Sequence, residues 1–148
     1  MSSTWFAAVL AFAAGLGGAV QIAVQGRLGD RVGSLEAVTT AAVIGGAIAI
    51  TALLVARRSL TGVSDAVAGP KWQLLGGVMS VFIVLAITVA GPRIGIVATT
   101  AFLIAAQFGL ATAIDRYGWF GVERVALTWT RMIGIGLLIV GAALTLRR

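Results

Sequence analysis

Long stretches of this 148-residue chain contain no ionisable side chain, and that distribution limits the possible folds more than any motif does. Residues 2–25, 37–56, 72–92, 94–114 and 132–146 are free of Asp, Glu, Lys and Arg. A hydrocarbon core of about 30 Å takes roughly 20 apolar helical residues. Using the charges as punctuation, five segments meet that standard, near residues 4–25, 37–56, 72–90, 94–114 and 126–146. With 59% hydrophobic and 11% charged residues and a mean hydropathy of +1.05, the chain lies outside the range of soluble domains. The runs are continuous and rich in Ala, Leu, Ile and Gly, where a barrel would need alternating polarity. The expected fold is an all-α integral membrane protein, a single domain over residues 1–148 with five transmembrane helices. MSSTW carries no basic residue and its apolar run exceeds a signal core, so the first segment is expected to remain in the mature protein.

The same composition removes most catalytic chemistry. Without Cys or His there is no thiol nucleophile, disulfide, haem or zinc site, or imidazole base. The carboxylates Asp30, Glu36, Asp65, Asp115 and Glu123 fall at or beyond the expected helix ends, so neither a metal cage nor a paired-carboxylate site is visible. No catalytic residue, metal or cofactor is expected, and the chain does not read as an enzyme. Its net charge of +6 is scattered over every connection, which suits lipid headgroups and not nucleic acid. Trp5, Trp72, Tyr117, Trp119 and Trp129 stand at segment ends, as an interfacial aromatic belt requires.

An odd number of spans places the termini on opposite sides of the membrane. The basic residues do not choose between the two orientations: Arg27, Arg31, Arg93, Arg147 and Arg148 fall on one side, and Arg57, Arg58, Lys71, Arg116 and Arg124 on the other, with Arg131 near the second group. Either a weak bias still orients the protein, or copies insert both ways and pair antiparallel, which regenerates the inverted repeat of larger transporters.

Inside the spans, Ala101, Ala105, Gly109 and Ala113 recur every fourth residue, a narrow stripe for close helix approach at a dimer seam or within the chain. Gln107 stands roughly 200° round the helix from Ala105 and Gly109. On the first segment Ala14, Gly17, Gly18, Gln21 and Gln25 share a face, and Gly15, Gly17 and Gly18 weaken the helix locally, as a moving or kinked helix or a closely packed one would. An amide has two donors and an acceptor that the helix ladder leaves unused, so each glutamine faces a partner helix, a water-filled path or a ligand. Ser80 and Thr88, with Trp72 and Gly76, repeat at multiples of four; membrane hydroxyls, however, commonly bond their own backbone, and Thr145 is read likewise. Asp115 and Arg131 flank the last connection, either as interfacial anchors or as a pair of small net value.

The runs QIAVQGRLG, PKWQLLGGV, GPRIG, AAQFGLATAIDRYGWFG and RMIGIGLLIVGA, in this order, resemble the YdcZ-like family of five-helix proteins in the drug/metabolite transporter superfamily. The resemblance covers nearly the whole chain and is carried mainly by Gln21, Trp72, Gly76, Gly77, Pro92, Gly95, Gln107, Asp115, Gly118, Gly121, Arg131 and Gly134. It departs at Gln25, where the family pattern usually has Asn, and at Ala106, where Gly usually precedes the glutamine. It implies a multi-pass transporter of the bacterial inner membrane, an exporter whose chain is half of a ten-helix architecture completed by a second copy.

These readings combine into an expectation. A second, antiparallel copy or a paired homologous chain completes an alternating-access transporter for a small metabolite or drug-like compound. Gln21, Gln107, Gln25 and Ser80 bind substrate, while Phe12, Phe82, Phe102 and Phe108 supply apolar wall. Asp115, Arg131 and Glu36 are the candidates for coupling or gating, since no acid lies deep in a span. A non-transporting accessory subunit and a channel are the alternatives.

Overall fold

The computed structural model describes residues 2–126 and 128–145, and helices supply all the regular structure among them. In chain order they are α1 (Ser2–Val32), α2 (Ser34–Arg57), α3 (Thr61–Ala68), a 3-10 turn (Lys71–Leu74) leading into α4 (Leu75–Ile94), α5 (Ile96–Tyr117), a second 3-10 turn (Trp119–Gly121) and α6 (Trp129–Leu144). Two compact units result, one from the residues up to Ala19 with those from Ile94 onward, the other from Val20–Arg93.

Four stretches are long and apolar enough to cross a membrane: Thr4–Val32, Ser34–Arg57, Lys71–Ile94 and Ile96–Tyr117. The fifth expected span is the shorter α6, whose 16 residues extend about 24 Å at 1.5 Å per residue. It begins at Trp129 because residues 122–126 carry no regular structure, and the Val125 N–H is held by the Asp115 carbonyl at 2.9 Å. The far end of that span, residue 146, and the basic Arg147 and Arg148 lie outside the described residues.

Helix ends follow backbone chemistry and not the onset of charge. α1 was expected to end near residue 25 and instead passes through Arg27, Asp30 and Arg31 to Val32, unbroken at Gly15, Gly17 and Gly18. Charges change the favoured solvent, but they do not break the i→i−4 ladder. The break comes at Gly33, whose φ of 102° and ψ of 148° fit a residue without Cβ. Likewise α4 runs through Pro92 to Ile94, and Gly95, with φ 86°, makes the joint to α5. Pro92 lacks only the N–H that would reach back to residue 88, near a helix end where the loss is tolerated. Gly118 closes α5 in the left-handed conformation, its N–H on the Ile114 carbonyl at 2.8 Å.

In the Val20–Arg93 unit, α1 and α4 cross closely. Ile22, Gln25, Gly26 and Gly29 have the i, i+3, i+4, i+7 spacing of one helical face. A Cβ on Gly26 would stand 3.0 Å from Pro92 Cδ, one on Gly29 2.5 Å from Thr88 Cγ2, and one on Gly91 3.0 Å from Ile22 Cγ2. The backbones therefore meet where side chains are absent, the packing that membrane helices use when apolar burial gains little. In the other unit α5 packs along α6.

The connection between α2 and α4 contains α3. Its Leu60 flank, Val63 and Val67 leave an exposed apolar edge between Arg57, Arg58 and Lys71. Such a short amphipathic element between two spans suits the headgroup boundary.

Candidate functional site

Within the Val20–Arg93 unit a cleft of about 400 Å³ opens between α1, α2 and α4. Gln21 comes from α1; Val38, Ala41, Ala42, Gly45 and Gly46 from α2; Gly77, Ser80, Val81 and Val84 from α4. The space exists because side chains are missing: a Cβ on Gly45, Gly46 or Gly77 would meet nothing within 4 Å. Val38, Ala41, Ala42 and Gly45 follow one helical face, so α2 turns its least bulky surface to the cleft.

Gln21 and Ser80 give this cavity its polarity, and both are exposed. Neither side chain hydrogen-bonds any described residue. Membrane hydroxyls elsewhere in the chain do the opposite. Thr39, Thr51, Thr99, Thr100 and Thr112 each donate to the carbonyl four residues back. Thr88 donates to the Val84 carbonyl at 2.6 Å and Thr145 to the Ala142 carbonyl at 2.7 Å, so both follow the backbone-bonding expectation. Ser80 keeps its donor available.

The remaining residues singled out from sequence are placed elsewhere. Gln25 does not line the cleft; it is 6% exposed, on the α1 face that carries Ile22, Gly26 and Gly29, and its Nε2 has no hydrogen-bond partner among the described residues. Gln107 is exposed on α5 and lines none of the clefts described here. Along the small-residue stripe Ala105 is buried, Ala101 and Ala113 are half-buried, and Gly109 is open with no atom within 4 Å of an added Cβ. Part of that stripe is thus covered by the chain itself.

Asp115 and Arg131 do meet, Nη1 to Oδ2 at 3.1 Å, and tie the end of α5 to the start of α6. Beside them a second cleft of about 410 Å³ is lined by Phe108, Ala111, Thr112, Thr130, Gly134 and Ile135. The side chains are 46% and 33% exposed, so the pair contributes at most about 1 kcal/mol as it stands. Glu36 occupies the first turn of α2, its carboxylate folded so closely over Gly33 that a Cβ there would strike Oε2. A negative charge at that position is favoured by the helix dipole.

Sequence reading missed the α2 wall. Its signal was the Gly45–Gly46 doublet in mid-span, matched by Gly76–Gly77 on α4, but absence of side chains does not say what fills the space.

No curated protein and no solved structure matches the chain. A family model does: the one described as "Putative inner membrane exporter, YdcZ" aligns with residues 6–144. Matched over residues 6–144, and with four long apolar helices and a shorter one among its described residues, the chain belongs to the YdcZ family of membrane transporters.

Proposed function

We propose that the chain is an inner-membrane exporter of bacteria that moves a small metabolite or drug-like compound by alternating access, two copies assembling antiparallel around the substrate path. The observation that carries this reading is that Gln21 and Ser80, remote in sequence, line one cleft with no hydrogen-bond partner for either side chain among the described residues. Lipid cannot satisfy them, and a polar solute can. Gln25 offers a further amide when the α1–α4 crossing loosens, and Gln107 supplies one from α5. The Asp115–Arg131 pair is the proposed coupling or gating element between α5 and α6, and Glu36, in the first turn of α2, is a separate candidate for that role.

Incomplete self-coverage supports a second copy. The apolar windows of α1 and α2 are 6% buried and those of α4 and α5 17%, so most of each span is left for lipid or a partner to cover. The open side of the stripe at Gly109 is the proposed seam. A paired homologous chain would serve in place of an identical copy.

The test is a thermal-shift screen of the purified chain against metabolites and drug-like compounds, followed by liposome flux of each hit, since a ligand of the folded state stabilises it by mass action. Stabilising compounds that are also transported are the expected result. Stabilisation of nothing, with intact folding, would leave an accessory subunit, and ionic current far above carrier rates would leave a channel. For orientation, the balanced basic residues predict that a C-terminal reporter populates both sides of the membrane. Adding two Lys to the 57–71 connection should then favour one side. A single orientation in the unmodified chain rejects dual topology and points to the paired-chain assembly.

A further inference from the structure

We infer that the cleft between α1, α2 and α4 takes an electrically neutral solute, an amide or alcohol on an apolar body, and that the solute crosses without net movement of charge. This rests on the transport reading above and specifies its substrate class.

The cleft itself carries no ionisable residue. Its polar atoms are the Gln21 amide, with donors and an acceptor, and the Ser80 hydroxyl, with both. The rest of the wall is Ala, Gly and Val. Such a surface pairs one or two hydrogen-bonding groups and covers the remainder with apolar contact, and about 400 Å³ lies within the 300–1,000 Å³ of small-molecule sites.

Along α1, α2 and the α4 segment the charges also stand away from the level of Gln21 and Ser80, and the closest approach to the lining is at Val38, two residues from Glu36, whose carboxylate folds back over Gly33. At 1.5 Å per residue, Gly45 is about 13 Å along α2 from Glu36 and about 18 Å from Arg57. Ser80 is about 15 Å from Lys71, allowing for the 3-10 turn, and about 20 Å from Arg93 along the α4 segment. The nearest charge to Gln21 on α1, Arg27, is about 9 Å along the axis and points about 120° away. An antiparallel second copy would bring the same charge-free stretches to the bilayer interior. An ion in the cleft would give up hydration and find no opposite charge, whereas a neutral polar group loses little once hydrogen-bonded.

The test uses the full chain, first in detergent and then in liposomes. Alkylbenzenes of graded length are prepared as matched carboxamides, carboxylates and benzyltrimethylammonium ions, and each is titrated in a thermal-shift assay. The expected result is that carboxamides stabilise the chain at concentrations at least tenfold below their charged counterparts, and that Gln21→Leu removes the preference. Transport of each hit, measured as excess over protein-free vesicles, is then driven by a tenfold potassium gradient with valinomycin. A carried monovalent cation would reach about a tenfold accumulation at equilibrium, and a neutral solute none. Preferential stabilisation by a carboxylate or ammonium, or accumulation that follows the potential, overturns the neutral-solute inference and leaves a transporter of ions. If no compound in this series or the wider screen stabilises or crosses, the transport reading fails and the inference fails with it.

Discussion

Gln21→Leu is expected to leave insertion and folding intact while lowering ligand affinity about tenfold or more and abolishing flux. The substitution keeps approximate volume and deletes an amide that bonds no described residue, so the fold loses no hydrogen bond. The ligand, by contrast, loses its bond and keeps an unpaired polar group in an apolar wall, a difference of about 1–3 kcal/mol. Ser80→Ala should act in the same direction with a smaller effect, and the two together should exceed either one. Gln107→Leu provides the comparison on α5: loss of flux there would extend the path to that helix, and normal transport would restrict it to the α1–α2–α4 cleft. Ligand-induced melting shifts and liposome flux decide the matter. Unchanged binding and transport in Gln21→Leu would remove this cleft as the site.

A second large effect is expected at the α1–α4 crossing. Gly29→Leu and Gly26→Leu drive a side chain into Thr88 or Pro92, where even a Cβ stands at 2.5 Å and 3.0 Å. Thr88 cannot easily turn away, because its hydroxyl is bonded to the Val84 carbonyl. Overpacking of this kind destabilises by about 1–3 kcal/mol, and separation of the helices would add to it. Gly17→Ala on the same helix should do the opposite. No atom lies within 4 Å of its added Cβ, and alanine favours a helix by about 1 kcal/mol over glycine. Melting temperatures in a common detergent should therefore move in opposite directions. A tolerated leucine at Gly29 would show that the crossing is not packed this way. Destabilisation by Gly17→Ala would show that a partner copy packs on that face.

Hydropathy and charge made the membrane class and the approximate spans legible, because both report the solvent each segment prefers. They were poor guides to helix ends. Arg27, Asp30 and Arg31 continue α1 because a helix can leave the hydrocarbon without unwinding. Pro92 continues α4 because the actual break is the torsion of Gly95. The Asp115–Arg131 pair was legible from its position on either side of one short connection. The association of Gln21 with Ser80 was not, since it depends on the rotational phases of three helices, and one sequence carries no direct signal of relative phase. Gln25 shows the same limit: a single turn separates it from Gln21, yet one amide lines a cleft and the other is buried in a crossing.

The single-residue joint at Gly33 has a consequence for how such chains can diverge. Adding or deleting one residue there turns α2 by about 100° about its own axis if the joint geometry is kept. Val38, Ala41, Ala42 and Gly45 would then leave the cleft together, and other residues of α2 would come round to face Gln21. Insertions and deletions among descendants of this chain should therefore be excluded at the α1–α2 joint and accumulate in the connection around α3, where no helix of the cleft is phased by the length of the link.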